Sequence, residues 1–312
     1  MAATEYYPEK ITEENKTPIL NAQIGEEQLP FSIYDVKVSS ADGKNKDILS
    51  GLKGKVTLIF NVAAGCGNIP QHSVLEELHQ KYKDVDDFNV LAIVVDDFIC
   101  HGYPEFQDGL DKYIEREGLD TTPSMVAKDY AEKNFGTTFE FSELTNGRYD
   151  KHTYDPNYVP GSVKIQEQHE LWKYLTGSYK ADIGENGLPI QIEDIPWSYA
   201  QCDTDVDPSA KTYSPVRGNF EKFLIDKTGT KVKRFANGFL LGERDQFGII
   251  FPWVSEKYKA DGRRDHAPVL EGGMDPTIVS VGEKNWPNNY QRVGIDISLE
   301  AISKEIDYYL SQ

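Results

Sequence analysis

The fold is decided by residues 56–67, whose sequence is VTLIFNVAAGCG. The first seven, Val56 to Val62, are rich in β-branched side chains and almost wholly apolar, which is typical of a strand buried on both faces of a sheet. The small residues around Cys66 indicate a tight loop after this strand. Pro70 then lies where a helix can begin, because a first helical turn needs no N–H from its proline.

The stretch after Pro70 predicts a helix and a second strand. Val74, Leu75, Leu78 and Tyr82 recur at a spacing that brings them to one helical face. The apolar run Phe88–Val95 follows as a second buried strand. So short a strand–helix–strand unit implies two parallel, neighbouring strands with a right-handed connection.

Two turn signals predict hairpins. The apolar residues 31–38 precede a turn at residues 41–44, which suggests an opening hairpin. Near the other end, residues 220–225 and 231–235 flank the turn sequence of residues 226–229, which predicts a pair of antiparallel strands.

The chain closes on an amphipathic pattern. Leu299, Ile302, Ile306 and Leu310 are spaced three or four residues apart, which predicts a final helix. Ser298 is its expected N-cap, because a serine hydroxyl can accept from a free backbone N–H of the first turn.

The expected organisation is one domain with decorations. Residues 1–27 are polar and form an N-terminal extension, whereas residues 28–312 form the domain. Two long stretches, residues 176–214 and 237–294, are rich in Gly, Pro, Ser, Asp or Asn and show no clear apolar period. We interpret them as insertions in this domain, because long loops in compact domains are usually functional elaborations.

Five blocks of sequence form a recognisable series along the chain: residues 61–67 (NVAAGCG), 69–71 (IPQ), 90–98 (VLA at 90–92 and DDF at 96–98), 133–139 (KNFGTTF) and 218–226 (GNFEKFLID). In this order they resemble signatures of the glutathione peroxidase family. The resemblance implies an α/β, thioredoxin-like fold with a mixed central sheet flanked by helices.

The family works through a peroxidatic Cys or selenocysteine assisted by Gln, Trp and Asn. By this resemblance Cys66 is the nucleophile and Asn219 is the assisting Asn. The Gln position holds Asp97, and the Trp position holds Gly218. The resolving Cys of thioredoxin-dependent members falls near Ala131, so we expect an external thiol to take its place. The candidate catalytic residues are therefore Cys66, Asp97 and Asn219.

Asp97 is the most informative change from the family pattern. A carboxylate beside Cys66 raises the pKa of the thiol by like-charge repulsion. Alternatively, Asp97 acts as a general base, or it only caps a turn. Gly218 removes an aromatic wall and leaves room for a bulkier substrate, unless Trp197 or Trp253 fills the gap.

Other residues of chemical interest receive plainer interpretations. Cys100 is either an unorthodox resolving thiol or a spectator. Asp96, Asp97, Cys100 and His101 are metal-ligand types but lack a paired ligand spacing, so we expect no metal. We expect His72 and His79, one heptad apart, at the surface.

Charge and cysteine content exclude several classes of protein. The 51 acidic and 33 basic residues give a formal net charge of −18, which disfavours nucleic acid and anionic membranes as partners. We expect no membrane association, because no apolar run reaches the roughly 20 residues of a membrane span. Three scattered cysteines and no visible secretory signal predict a reducing, cytoplasmic location.

The sequence thus predicts a thiol-dependent peroxidase that reduces hydrogen peroxide or organic hydroperoxides. Asn219 and backbone N–H groups would polarise the peroxide, no cofactor is expected, and glutathione or another thiol is the co-substrate. One alternative is a specialised enzyme on the same scaffold that uses Cys66 and Asp97. Another is a redox-inactive binding protein whose acidic insertions contact a partner. The oligomeric state stays open.

Overall fold

The computed structural model describes most of the predicted domain. The described residues are 32–64, 69, 71–95, 97, 110–148, 150–151, 164–165, 167–177, 190–194, 216, 218–235, 240, 243–244, 250–251 and 289–312. The predicted extension, residues 1–27, lies outside them, as do most of the two insertions. Cys66 also lies outside them.

The described part of the chain contains five α-helices, two 3₁₀ turns and ten strands. The α-helices are α1 (Gln71–Lys81), α2 (Leu110–Glu117), α3 (Pro123–Phe135), α4 (Glu170–Thr176) and α5 (Asn289–Leu310), and 3₁₀ turns span Ile33–Asp35 and Ser50–Leu52. The strands are β1 (Val56–Val62), β2 (Phe88–Val95), β3 (Glu140–Thr145), β4 (Asp150–Lys151), β5 (Lys164–Ile165), β6 (Gln191–Asp194), β7 (Lys222–Ile225), β8 (Lys231–Phe235), β9 (Glu243–Arg244) and β10 (Ile250–Phe251).

Six of these strands form one mixed sheet in the order β3-β2-β1-β7-β8-β6. β1 lies parallel to β2, and β2 parallel to β3. β7 runs antiparallel to both β1 and β8, while β6 lies parallel to β8 at the edge. The predicted parallel strand–helix–strand unit and the predicted β7–β8 pair are confirmed, and so is the α/β, thioredoxin-like fold with a mixed sheet flanked by helices.

The central strand β1 is buried along its whole length. Side chains alternate across a sheet, so Leu58 and Phe60 enter one apolar cluster while Ile59 enters the other. Helices α1, α3 and α5 contribute to the first cluster. The N-terminal segment and α4 cover the opposite face. β1 therefore needs the continuous apolar sequence from which it was predicted.

The prediction of an opening hairpin is confirmed only in part. The turn forms, because the N–H of Gly43 donates to the carbonyl of Ser40 at 2.8 Å, and the Ile48 N–H bonds the Val38 carbonyl. Within residues 32–50, which the structure describes, no paired strands flank this turn. Residues 33–35 form a 3₁₀ turn instead, and Ser40 makes one isolated bridge to Ser142. Ile33 and Tyr34 are buried against the sheet, so tertiary packing replaces strand pairing here.

The final helix is present but longer than predicted. It begins at Asn289, so Ser298 lies inside it and the prediction of Ser298 as the N-cap is wrong. Residues 289–298, the first ten of this helix, contain no proline. Their single glycine, Gly294, is tolerated within a helix at a cost of about 1 kcal/mol. Local apolar periodicity therefore predicted only the last part of α5, residues 299–310.

His72 is buried, so its predicted surface position is wrong. The imidazole lies among phenylalanine rings whose centroids are 5.0 to 6.2 Å away, and its Nδ1 is buried without a hydrogen-bond partner. These rings are Phe60, Phe135, Phe139, Phe141 and Phe220. Because burial penalises the imidazolium, the pKa of His72 falls to about 3.

Replacement of His72 by Phe is expected to remove part of the protein's sensitivity to acid. Below the ordinary pKa of about 6.5 the unfolded imidazole takes up a proton, whereas the folded one stays neutral down to about pH 3. The stabilisation is thus complete above pH 6.5 and is lost as the pH falls. Denaturant unfolding at pH 7 and pH 5 should show wild type losing about 2 kcal/mol more than His72→Phe. An equal loss in both proteins contradicts this assignment.

Candidate active site

The candidate site lies at the carboxyl edge of the parallel strands. β1 and β2 end at Val62 and Val95, and Asp97 follows β2. β7 is antiparallel to β1, so its first residue, Lys222, lies opposite Phe60 at this same edge. Open α/β sheets bind ligands at such an edge. Cys66 follows Val62 by four residues, so chain connectivity assigns it to the connection that leaves this edge.

The side chain of Asn61 fastens the end of β1 to the residues that precede β7. Its Nδ2 donates to the carbonyl of Gly218 at 3.1 Å, and its Oδ1 accepts from the N–H of Glu221 at 2.9 Å. The backbone of Asn61 adds two bonds, to Glu221 and to Phe220. All of these groups are buried, where an unpaired amide costs about 1–3 kcal/mol.

Asn219 continues this pairing beyond the end of the strand. Its Oδ1 accepts from the Ala63 N–H at 2.7 Å, and its Nδ2 donates to the Ala63 carbonyl at 2.9 Å. The side-chain amide therefore acts on Ala63 as a neighbouring strand would. Oδ1 also accepts from the N–H of Phe220 at 3.1 Å. We refer to the Asn61 and Asn219 bonds together as the amide clamp.

Phe220 stands in a strained conformation between the clamp and β7. Its φ of +64° lies in the left-handed region, which costs a residue other than glycine about 1–3 kcal/mol. Its ring stacks on Phe60 at 5.7 Å and meets the edge of His72 at 5.0 Å. Aromatic packing and the clamp hold this turn in place.

Asp97 is buried, and its carboxylate is bound to the loop after β3. Oδ2 accepts from the N–H of Gly147 at 2.6 Å. A Cβ on Gly147 would lie only 2.8 Å from this oxygen, which is why the close approach needs a glycine. The observed bond fits the turn-anchoring interpretation of Asp97, and its catalytic role stays a prediction.

Several buried polar residues near Asp97 were not identified from the sequence. Gln168 donates to the carbonyl of Gly147 at 2.9 Å, and Arg148 donates to the carbonyl of Val216. Trp172, on α4, donates from Nε1 to Thr145 at 2.9 Å and packs on Phe223. They come from segments without apolar periodicity, so no sequence signal marked them.

A buried ion pair lies on the other side of the clamp. The Nε of Arg234 donates to one carboxylate oxygen of Glu221 at 2.6 Å, and its Nη2 donates to the other at 3.0 Å. Both side chains are almost fully buried. Removal of one member of such a pair leaves a buried charge and costs about 3–5 kcal/mol. The ion pair thus holds Glu221, which follows Asn219 and Phe220 along the chain, in place.

The structure locates some of the other predicted residues. Gly218 is buried beside the clamp, and Ala131 is buried within α3. No group of three His, Cys, Asp or Glu side chains in the described ranges could hold a metal ion. No helix in the described part of the chain is long and apolar enough to cross a membrane. Predicted residues outside the described ranges are Asp96, Cys100, His101, Trp197 and Trp253.

Comparison with known proteins confirms the resemblance to the glutathione peroxidase family. The family model for glutathione peroxidase matches residues 33–156. The glutathione peroxidase homolog BsaA of Staphylococcus epidermidis is 29% identical over 205 residues, which cover 66% of this chain and 89% of that protein. The glutathione peroxidase-like peroxiredoxin GPX5 of Chlamydomonas reinhardtii is 28% identical over 186 residues, which cover 60% and 75%.

Solved structures include similar chains. The crystal structure of Trgpx in apo form is 22% identical, with a TM-score of 0.37, and the alignment covers 66% of this chain and 85% of that one. T. cruzi GPX1 is also 22% identical, with a TM-score of 0.35 and coverage of 67% and 88%.

Substitution Gly147→Ala is expected to destabilise the protein through Asp97. The new methyl group would meet the carboxylate oxygen at 2.8 Å, so either the loop or Asp97 must move. We expect the free energy of unfolding to fall by about 1–3 kcal/mol in urea titrations. Gly51→Ala is the matched control, because nothing lies within 4 Å of its new Cβ. Equal stabilities of the two variants would show that the close approach does not exist.

Proposed function

We propose that this chain, a divergent relative of the glutathione peroxidases, is a thiol-dependent peroxidase that reduces hydrogen peroxide or organic hydroperoxides through Cys66. Its relatives include glutathione peroxidase-like peroxiredoxins at 27–28% identity, from Chlamydomonas reinhardtii, Schizosaccharomyces pombe and Saccharomyces cerevisiae. We propose glutathione or another external thiol as the reductant, and a reducing, cytoplasmic setting because the three cysteines are odd in number and widely separated.

One observation carries the proposal: the amide clamp fixes the residue from which the Cys66 loop departs. Ala63 is bonded through both its N–H and its carbonyl to Asn219, and Cys66 comes three residues later. A nucleophile needs a fixed approach to its substrate, since misplacement by about 1 Å can reduce a rate a hundredfold. The bonds that fix Ala63 therefore support the choice of Cys66.

The proposed reaction has two stages. The Cys66 thiolate attacks one peroxide oxygen, so that an S–O bond forms, the O–O bond breaks, and water or an alcohol leaves after protonation. Cys66 is oxidised to a sulfenic acid and the peroxide is reduced. One external thiol then condenses with the sulfenic acid, which releases water and leaves a mixed disulfide with Cys66. A second thiol attacks the external sulfur of that disulfide, so that the two external thiols leave as one disulfide and Cys66 returns to the thiolate.

Asn219 has a positioning role in this proposal. Its Oδ1 and one Nδ2 proton are engaged by the backbone of residues 63 and 220. The polarisation of peroxide that we predicted for Asn219 therefore falls mainly to backbone N–H groups of the Cys66 loop. Asp97, bonded to Gly147, belongs to the same edge and is the residue that distinguishes the alternative function.

That alternative is a specialised enzyme that uses both Cys66 and Asp97. It is favoured by one observation, namely that a carboxylate is kept wholly buried at the edge where the family has an amide. If it is correct, Asp97→Asn should abolish turnover of the specialised substrate while the oxidation of Cys66 by peroxide continues unchanged.

The proposal is tested by the rate at which peroxide oxidises Cys66. In a Cys100→Ser, Cys202→Ser background, hydrogen peroxide pulses are followed by dimedone trapping and mass spectrometry, with Cys66→Ser as the control. We expect a sulfenic acid at Cys66 at least about tenfold faster than in free cysteine, because an activated thiolate is the nucleophile. Glutathione should reverse it. A rate no higher than that of free cysteine would contradict the proposed function.

A further inference from the structure

Asn146 and Gly147 form an Asn-Gly pair in the loop that follows β3. In such a pair the glycine nitrogen can attack the side-chain carbonyl carbon of the asparagine, because glycine has no side chain to hinder the approach. A succinimide ring forms and ammonia leaves, and water then opens the ring to aspartate or isoaspartate. The loop after β3 therefore carries the chemical groups for spontaneous deamidation.

Both reacting groups of this pair are hydrogen bonded to other parts of the chain. The N–H of Gly147, whose nitrogen would attack, donates to Oδ2 of Asp97 at 2.6 Å. The Nδ2 of Asn146, which would leave as ammonia, donates to the carbonyl of Glu167 at 3.0 Å. Formation of the ring requires the glycine nitrogen to lose the proton that it donates to Asp97. The reaction therefore competes with bonds that the folded chain already makes.

The backbone on both sides of the attacking nitrogen is also bonded. The carbonyl of Asn146 accepts from the N–H of His169 at 2.9 Å, and the carbonyl of Gly147 accepts from Nε2 of Gln168 at 2.9 Å. Gly147 is buried, and a Cβ on it would lie 2.8 to 3.5 Å from three side-chain atoms. An intramolecular attack needs its two atoms aligned and about 3–3.5 Å apart. A peptide unit held in this way has little freedom to rotate into that alignment.

Asp97 opposes the reaction through its charge as well as through its bond. The attacking nitrogen gains negative charge as it loses its proton, and a carboxylate disfavours a second negative charge nearby. Oδ2 of Asp97 lies 2.6 Å from this nitrogen, and the residue is wholly buried, so salt and water screen the repulsion little. The carboxylate at this position therefore protects the pair more strongly than a neutral amide would.

We propose that Asn146 is a deamidation site that the folded protein keeps unreactive, and that Asp97 is the residue chiefly responsible. Local opening of the loop exposes the pair to the reaction. The product prevents the loop from closing as before, because an aspartate has no Nδ2 to donate to Glu167 and adds a negative charge one residue from the contact with Asp97. This inference does not depend on the proposed function.

The first test compares the rate of deamidation at Asn146 in folded and in urea-denatured wild type, at mildly alkaline pH, by peptide mapping and mass spectrometry. The pairs Asn186–Gly187 and Asn237–Gly238 calibrate the denatured sample, because they give the rate of an unprotected Asn-Gly pair in the same chain. We expect folding to slow the reaction at Asn146 at least about tenfold, since the loop must open first. Equal rates in the folded and denatured protein overturn the proposal.

The second test assigns the protection to Asp97. In folded Asp97→Ala the rate at Asn146 should rise about tenfold, because the N–H of Gly147 loses its bond to a charged group. Tyr82→Phe is the matched control. It also removes hydrogen bonds, but these join Tyr82 to α5, so the rate at Asn146 should stay unchanged.

An unchanged rate in Asp97→Ala overturns the proposal. A slower reaction overturns it too, because Asp97 would then act as a base that assists the attack. If the variant does not fold, as judged by circular dichroism, Asp97→Asn takes its place, because the amide keeps an oxygen for the bond but removes the charge. An unchanged rate there has the same meaning. Neither test involves peroxide or Cys66, so failure of the proposed function leaves these results standing.

Discussion

The amide clamp is the interaction on which the candidate site depends. Asn61 and Asn219 use side-chain amides to continue, past the end of the β1–β7 ladder, the pairing that backbone groups make within it. A backbone pairing could not continue here, because the turn at Phe220 reverses the backbone into the left-handed region. The side chains therefore satisfy buried N–H and carbonyl groups that the turn would otherwise leave unpaired.

Residues 218–222 make several of the contacts that shape the candidate site. Asn219 bonds Ala63 at the end of β1, Phe220 packs against His72, and Lys222 bonds Gln71, the first residue of α1. Glu221 points to the opposite face and is locked by Arg234. A single strained turn thus joins the two apolar clusters to the site, which explains why a short motif can be so informative.

Asp97 shows how a substitution can keep a scaffold and change its electrostatics. An amide at this position can donate as well as accept, but a carboxylate only accepts. Here the carboxylate accepts from Gly147 at the end of β3, and that glycine allows the approach. Strand β1 is flanked by β2, which Asp97 follows, and by β7, which begins at Lys222.

The sequence predicted the central elements because their signals are local. β1, α1 and β2 follow from apolar runs and from a helical period, and the β7–β8 pair follows from its turn. Helix α4 was not predicted because six of its seven residues are buried, which leaves no polar face to create a helical period. Strand β6 was not predicted because it is a short, polar edge strand inside the insertion of residues 176–214.

The sequence predicted which residues belong to the candidate site, but it did not predict which groups those residues bond. The motifs identified Asn219 and Asp97, yet nothing local reveals that Asn219 bonds Ala63 or that Asp97 bonds Gly147, since these pairs are far apart in the sequence. His72 was misplaced for the same reason. Its aromatic surroundings come from β1, α3, β3 and the turn at Phe220, which meet only in the folded chain.

The most direct test of the clamp is amide hydrogen exchange at Ala63 in wild type and in Asn219→Ala, with Ile59 in the middle of β1 as an internal reference. The account predicts that exchange at Ala63 becomes at least about tenfold faster in the variant while Ile59 keeps its protection, because only local opening is made easier. Unchanged exchange at Ala63 would contradict the account. Equal acceleration at both residues would contradict it too, because Asn219 would then support global stability alone.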